Sequence, residues 1–177
     1  QTCALPISFA GETYSVHGGI AAKGSNGFGV VVAALGEQML RVTAAMADGT
    51  LTWCTGPSTL AGHTIPTINR AADELGRPAP RVIAALPVCV TQDKEAAAAR
   101  AAKVFAVYGT LPSYGAMLDK EGAAGPADIA ITGSVAEVQD RVATLAGIGV
   151  TDFAAVEFGA TPEEIGNTLE ALKGLLG

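Results

Sequence analysis

Residues 30–53, VVVAALGEQMLRVTAAMADGTLTW, constrain the fold more than any other part of the chain. The run GVVVAAL is continuous, β-branched and bounded by glycine, which suits a strand buried on both faces, as in a parallel sheet. After Gly36 the apolar residues Met39, Val42 and Met46 recur at helical spacing, predicting a helix that buries this stripe. Asp48-Gly49 is expected to end that helix, with glycine supplying left-handed C-terminal geometry. TLTWC then opens a second strand.

The remainder repeats this alternation. Ser58 is expected to cap a helix running toward Leu75, interrupted or kinked at Pro66, with GRPAP closing it. RVIAALPVCVT is a second long buried strand, and Asp93 caps the alanine-rich helix KEAAAARAAKVFAVY. Pro112 interrupts that helix, SYGAMLDKEG continues as a shorter one, and the loop AAGPAD leads to IAITG. From Ser134 a helix carries Val135, Val138, Val142 and Leu145 on one face. A final strand, DFAAVEF, precedes a helix that starts at Thr161-Pro162, with Ile165, Leu169 and Leu172 as its expected buried stripe. Ahead of all this, residues 7–18 read as two short strands around a Gly11-Glu12 turn, a hairpin, and residues 19–29 as a glycine-rich loop.

Buried strands alternating with helices imply parallel strands joined by right-handed crossovers. The four main strands lie near residues 29–35, 50–54, 82–90 and 151–157. A complete eight-stranded barrel takes about 250 residues, which leaves two architectures: a small open α/β sheet, or the second half of a TIM-type (β/α)8 barrel preceded by a β-hairpin. The first βα turn lacks the G-x-G-x-x-G pattern of a doubly wound nucleotide-binding domain, which favours the half barrel.

Composition removes several function classes. A net charge of −6 with scattered basic residues argues against a nucleic-acid surface. No apolar run reaches membrane-span length, and no export signal is visible. The three cysteines form no C-x-x-C, and His17 and His63 have no metal-ligand spacing, so the expectation is a reduced, cytoplasmic protein without a metal site. The opening residues QTCALPI fit no later pattern and back-translate into a common sequencing-library adapter. Residues 1–7 are therefore expected to be a non-native leader at an assembly end, with the real protein extending upstream, Cys3 carrying no meaning, and residues 8–177 forming the C-terminal portion of one barrel domain.

Leu35-Gly36-Glu37 stands at the carboxyl end of a buried strand and the amino end of a helix, where open α/β sheets and barrels bind ligands. Free N–H groups and the helix dipole converge there, and a glycine admits a flat ring or a phosphate close to the chain. The spacing serves a simple tight βα turn equally well.

The same stretch resembles the middle signature of the bacterial luciferase-like oxidoreductases, in which a strand ends in Ala-x-Gly-x and Ala-Asp-Gly opens the next strand. Residues 78–118, PAPRVIAALPVCVTQDKEAAAARAAKVFAVYGTLPSYGAML, resemble the same family, especially its coenzyme F420-dependent branch. ITGSVAEVQDRVATLAGIGVTDFAAVEFG is similar to the family's closing segment, and FAGETYSVHG to the insertion before the signature. The resemblance implies a barrel oxidoreductase of the LLM class that moves a hydride between coenzyme F420 and an organic substrate. FMN, in a monooxygenase using oxygen, is the alternative. It also implies that Ala34, Leu35, Gly36, Glu37, Gln38 and Met39 meet the cofactor, and that the tip from Trp53 faces the substrate, with Trp53, Thr55 and Gly56 as candidates. Glu37, where many relatives have proline, disfavours a phosphate, so this turn is assigned to the ring or ribityl region. The groups that handle the proton lie in the family's first half, so the catalytic residues are unknown and this chain alone is expected to be inactive. A small-molecule substrate and a homodimer of the full-length protein complete the expectation. A non-catalytic barrel paralogue and a small α/β binding domain are the readings from other classes.

The remaining reactive residues carry less. Trp53 serves equally as a cap on the barrel mouth. Cys54 has no adjacent histidine and reads as apolar packing, Tyr108, Ser113 and Tyr114 flank Pro112 without a decided role, and His17 and His63 read as structural or exposed. Glu163–Glu164 and Asp119–Glu121 read as solvated helix faces rather than acid–base pairs.

Overall fold

The computed structural model describes residues 7–19 and 29–176. Most of the proposed leader with Cys3, and most of the glycine-rich loop, lie outside the described residues. The chain forms two compact units divided between Val30 and Val31.

In the first unit, β1 (Ile7–Ala10) pairs antiparallel with β2 (Ser15–Gly18), in register from Ile7↔Gly18 to Ala10↔Ser15. The Gly11 N–H donates to the Tyr14 carbonyl at 2.8 Å and closes the turn. A Cβ on residue 11 would come within 2.7 Å of the exposed Phe9 ring, whose outer edge would have to move aside. The expected hairpin is therefore present.

The second unit alternates strand and helix. It runs β3 (Val31–Ala33), α1 (Glu37–Met46), β4 (Gly49–Trp53), α2 (Pro57–Thr59), a π-helical stretch (Leu60–Thr64), α3 (Ile65–Glu74) and β5 (Arg81–Val90). There follow α4 (Lys94–Val104), α5 (Ala106–Thr110), α6 (Pro112–Glu121), β6 (Ile131–Gly133), α7 (Val135–Gly147), β7 (Asp152–Glu157) and α8 (Pro162–Lys173). Every strand pairing in this unit is parallel. Ile83 of β5 faces Leu51 of β4 across one edge and Asp152 of β7 across the other. Val88 likewise faces Ile131 and Glu157, so β6 continues along the edge that β4 leaves. The main order is β3-β4-β5-β7, the four strands read from the sequence.

Side-chain alternation along β5 shows which face the helices cover. Val82, Ala84, Leu86, Val88 and Val90 join one core with Leu40 and Ala44 of α1, Ile68 and Ala72 of α3, Val138 and Leu145 of α7, and Ala171 of α8. Cys89, one residue out of phase, belongs to a second cluster with Ala101, Phe105, Ala130 and Phe158. A doubly wound sheet carries helices on both faces. Here the four crossover-type helices pack on one face of four parallel strands, the architecture of half a (β/α)8 barrel.

Several local expectations change. On α1 the buried residues are Leu40, Thr43 and Ala44, while Met39, Val42 and Met46 are exposed, Met46 to 77%. On α8 the buried residues are Thr168 and Ala171, with Ile165 and Leu169 exposed and Leu172 half-buried. The buried faces carry Thr43 and Ala44 beside Leu40 on α1, and Thr168 and Ala171 on α8, while most of the larger apolar stripe stays exposed. On α7 the expected face largely holds: Val138 and Leu145 are buried, Val142 is half-buried and Val135 exposed. The helix α1 ends on extended Ala47, and Gly49 is the first residue of β4 rather than a left-handed cap. Its need for glycine is close strand packing, since a Cβ there would lie 2.5 Å from the Arg81 carbonyl oxygen.

Asp93 caps its helix as expected, and the expected helix starts at Ser134 and Thr161 prove to be side-chain caps, Ser134 in a reciprocal capping box with Glu137. Ser58 does not cap its helix. That helix begins at Pro57, and the Ser58 and Thr59 N–H groups donate to the Glu121 carboxylate at 3.1 and 2.7 Å. The expected interruption near Pro66 is the π-helical stretch just before it.

Candidate functional site

The β3–α1 turn lies open. Ala34 is buried, Leu35 half-buried and Gly36 exposed, and the first helical side chains, Glu37, Gln38 and Met39, are exposed. Gly36 occupies the N-cap position in an ordinary extended conformation (φ −81°, ψ 154°), and no side chain caps the helix. Its carbonyl receives the Leu40 N–H at 3.0 Å. The N–H groups of Glu37, Gln38 and Met39 are thus the orphan donors of a ten-residue helix, at the positive end of its dipole.

Glycine at position 36 is required neither by its backbone angles nor by its neighbours. A Cβ there would meet nothing within 4 Å among the described residues beyond its chain neighbours. Strain relief in a tight turn therefore does not account for it. Glu37, expected to repel a phosphate, pairs with Arg41 at 3.2 Å, and Arg41 also reaches Glu74 at 3.6 Å.

One residue set aside on sequence grounds arrives at this turn. His63, half-buried in the π-helical stretch, places Nε2 3.0 Å from the Leu35 carbonyl oxygen. A carbonyl only accepts, so Nε2 carries the proton and donates. No local pattern announces a bond spanning 28 positions from an irregular helical turn.

The β4 tip is more enclosed. Trp53 is half-buried, edge-to-face with Phe105 (centroids 5.6 Å apart) and with Tyr108 (5.5 Å). Phe105 continues to Phe158 and Tyr108 to Tyr114, giving five rings in one edge-to-face chain. The Trp53 Nε1–H is buried with no acceptor among the described residues. Cys54 is left-handed (φ 49°), turning the chain off the strand, and burial pushes its thiol up to about 12. At neutral pH it stays a protonated thiol, not a nucleophile. Thr55 is 1% exposed and donates to the Trp53 carbonyl at 3.3 Å. Gly56 is buried, and the Glu121 carboxylate fills the space a Cβ would need. The structure thus brings Ala34 to Met39 together on an open turn, and places Trp53, Thr55 and Gly56 in a packed tip.

The acids set aside as solvated faces include two with structural partners. Glu121 joins the end of α6 to the start of α2. Glu164 binds Arg100 at 3.0 Å, and its carboxyl is held below the usual range by the Thr91 hydroxyl and the Ala160 N–H, with Arg100 adding to the effect. Arg100 also donates to the Phe158 carbonyl at 3.0 Å and lies 5.5 Å from the Phe158 ring centroid. A cavity of about 330 Å³ lies beside Pro57, Glu121, Asp128 and Arg141, and no residue of the Gly36 turn lines it. Among the described residues no cluster of His, Cys, Asp or Glu is arranged to hold a metal ion, and no helix is long and apolar enough to cross a membrane.

The family model of the luciferase-like monooxygenases matches residues 4–177. No curated protein matches the chain. Among solved structures, the coenzyme F420-dependent tetrahydromethanopterin reductase from Methanopyrus kandleri superposes with a TM-score of 0.68 at 19% identity, over 93% of this chain and 55% of that one. An F420-dependent secondary alcohol dehydrogenase in complex with an F420–acetone adduct gives 0.63 at 16% identity, over 94% and 56%. The oxygenating constituent of 3,6-diketocamphane monooxygenase from the CAM plasmid of Pseudomonas putida, in complex with FMN, gives 0.59 at 13%, over 95% and 56%. At these identities the likeness is one of fold, and the chain spans about half the length of these structures.

Proposed function

The chain belongs to the luciferase-like monooxygenase family, and from that premise we propose that it is part of an oxidoreductase transferring a hydride between coenzyme F420 and a small organic substrate. The observation that carries this reading is the exposed Gly36 turn, where neither backbone angles nor a described neighbour requires glycine and no side chain caps the helix donors. The donor set fits the polar edge of a deazaflavin or flavin ring, whose carbonyl oxygens and ring nitrogens accept hydrogen bonds. The ring, when bound, supplies the hydride chemistry. The backbone of Gly36 to Met39 orients that ring at the strand tip, and the helix dipole favours negative charge at its edge. The chain of aromatic rings from Trp53 to Tyr114 would wall the neighbouring strand tip. The substrate stands on the Trp53 side in this arrangement.

FMN is the second reading, favoured by the family's description and by the FMN complex among the similar folds. Separate titrations of the ¹⁵N-labelled chain with F420 and with FMN test both. The expected result is weak binding of F420 that shifts the Gly36–Met39 amides, without turnover. Shifts with FMN alone turn the assignment to the monooxygenase reading. Shifts confined to the cavity beside Arg141 overturn the assignment of the turn, and tight stoichiometric binding of reduced F420 overturns the half-barrel expectation of weak binding.

A further inference from the structure

We propose that His63 is a positioning residue that holds the Leu35–Gly36 peptide in one orientation and so aims the Gly36 N–H at the bound ring; the proposal rests on the reading of the turn given above. The Leu35 carbonyl and the Gly36 N–H belong to a single peptide group, which is planar, and the structure contains no cis peptide among the described residues. In a trans peptide the two bonds point in opposite directions, so fixing one fixes the other. His63 Nε2 holds the carbonyl from the π-helical side at 3.0 Å, and the N–H is thereby turned away from His63. It finds no acceptor among the described residues, none of which, chain neighbours aside, lies within 4 Å of where a Gly36 Cβ would stand.

A restraint is needed at this point. Glycine accepts almost any φ, so the peptide entering it turns over at little cost unless something holds it. Neither a side-chain cap nor a neighbour packed against Gly36 does so. A donor on the carbonyl also polarises the peptide and strengthens its N–H toward an acceptor. The donor comes from a π-helical stretch, a rare geometry that recurs at functional sites. That stretch continues the helix rising from the β4 tip, so His63 couples the two strand tips assigned to cofactor and substrate.

The test compares His63→Ala with His63→Gln in the full chain. The Gln amide nitrogen reaches the position of Nε2 and still donates; Ala does not. Without ligand, the Gly36 amide resonance is expected to shift and broaden in His63→Ala and to recover in His63→Gln. With FMN and with F420, each titrated separately, the affinity is expected to fall roughly fivefold to tenfold in His63→Ala, the loss of one neutral hydrogen bond, and to return in His63→Gln. His63→Asn keeps an amide but falls short of Leu35, and repeats the loss if the alanine variant fails to fold. An unchanged Gly36 resonance in His63→Ala, or equal losses of affinity in the Ala and Gln variants, overturns the proposal. If neither ligand perturbs Gly36 in the unaltered chain, the ring assignment falls instead, and the Gly36 signal without ligand decides the role of His63 alone.

Discussion

Gly56 and Glu121 form a pair whose energetics follow from the coordinates. Glu121 accepts the Ser58 and Thr59 N–H groups at the start of α2, 63 and 62 positions away. Glu121→Ala removes an ionised cap from two orphan donors. Caps are worth about 0.5–2 kcal/mol, and hydrogen bonds to charged groups about 1.5–3. Because Glu121 is only half-buried and water can replace part of the cap, about 2 kcal/mol is expected. Gly56 has backbone angles open to alanine (φ −76°, ψ 169°), so Gly56→Ala costs nothing in strain. The three atoms nearest its added Cβ all belong to the Glu121 carboxylate and stem, which must leave the cap to make room. Gly56→Ala therefore costs about the same ~2 kcal/mol by the same route, and the double variant about 2 rather than about 4. With a urea slope near 2 kcal/mol per molar, each single variant lowers the unfolding midpoint by about 1 M and the double variant by little more. Equilibrium urea unfolding of all four proteins measures this. Additive losses, agreeing within about 0.5 kcal/mol, refute the reasoning.

Three further outcomes are expected. The Glu137 carboxyl is lowered from 4.5 to about 2, first by Lys94 and then by Ser134. A depressed folded-state value gives stability that is present above pH 4.5 and lost as pH falls toward 2. Over that window the unfolding midpoint of Glu137→Gln should decline less steeply than that of the unaltered chain, and parallel curves count against it. Cys54 and Cys89 are buried with thiols raised by burial, so site-resolved labelling at pH 7 should leave both unmodified until denaturant is added; rapid native labelling of Cys54 contradicts its packing role. The outer edges of β3 and β7 have no partner strand among the described residues, and Met39, Val42, Met46, Ile165 and Leu169 lie exposed on the flanking helices. The isolated chain should therefore self-associate in sedimentation experiments, and Met39→Gln with Val42→Gln should raise the monomer fraction. A monomer with a sharp cooperative transition argues against the half-barrel reading.

What the sequence determined by itself was local or periodic. β-Branched runs separated by helical repeats require parallel strands, because each crossover returns the chain to the same end of the sheet. The caps at Asp93, Ser134 and Thr161 are bonds over three positions, visible in residue type and spacing. The hairpin turn at Gly11 and the position of the Gly36 turn are of the same kind. Tertiary structure decided the rest. Period fixes the spacing of a stripe but not which stripe meets the core, and on α1 and α8 the buried faces are Leu40, Thr43, Ala44, Thr168 and Ala171 rather than the expected stripes. Glu121 at the start of α2, Arg100 against Glu164, the ring chain from Trp53, and His63 at Leu35 all join segments far apart in sequence. Such bonds depend on where two elements cross in space, and that crossing exists only once the sheet has formed.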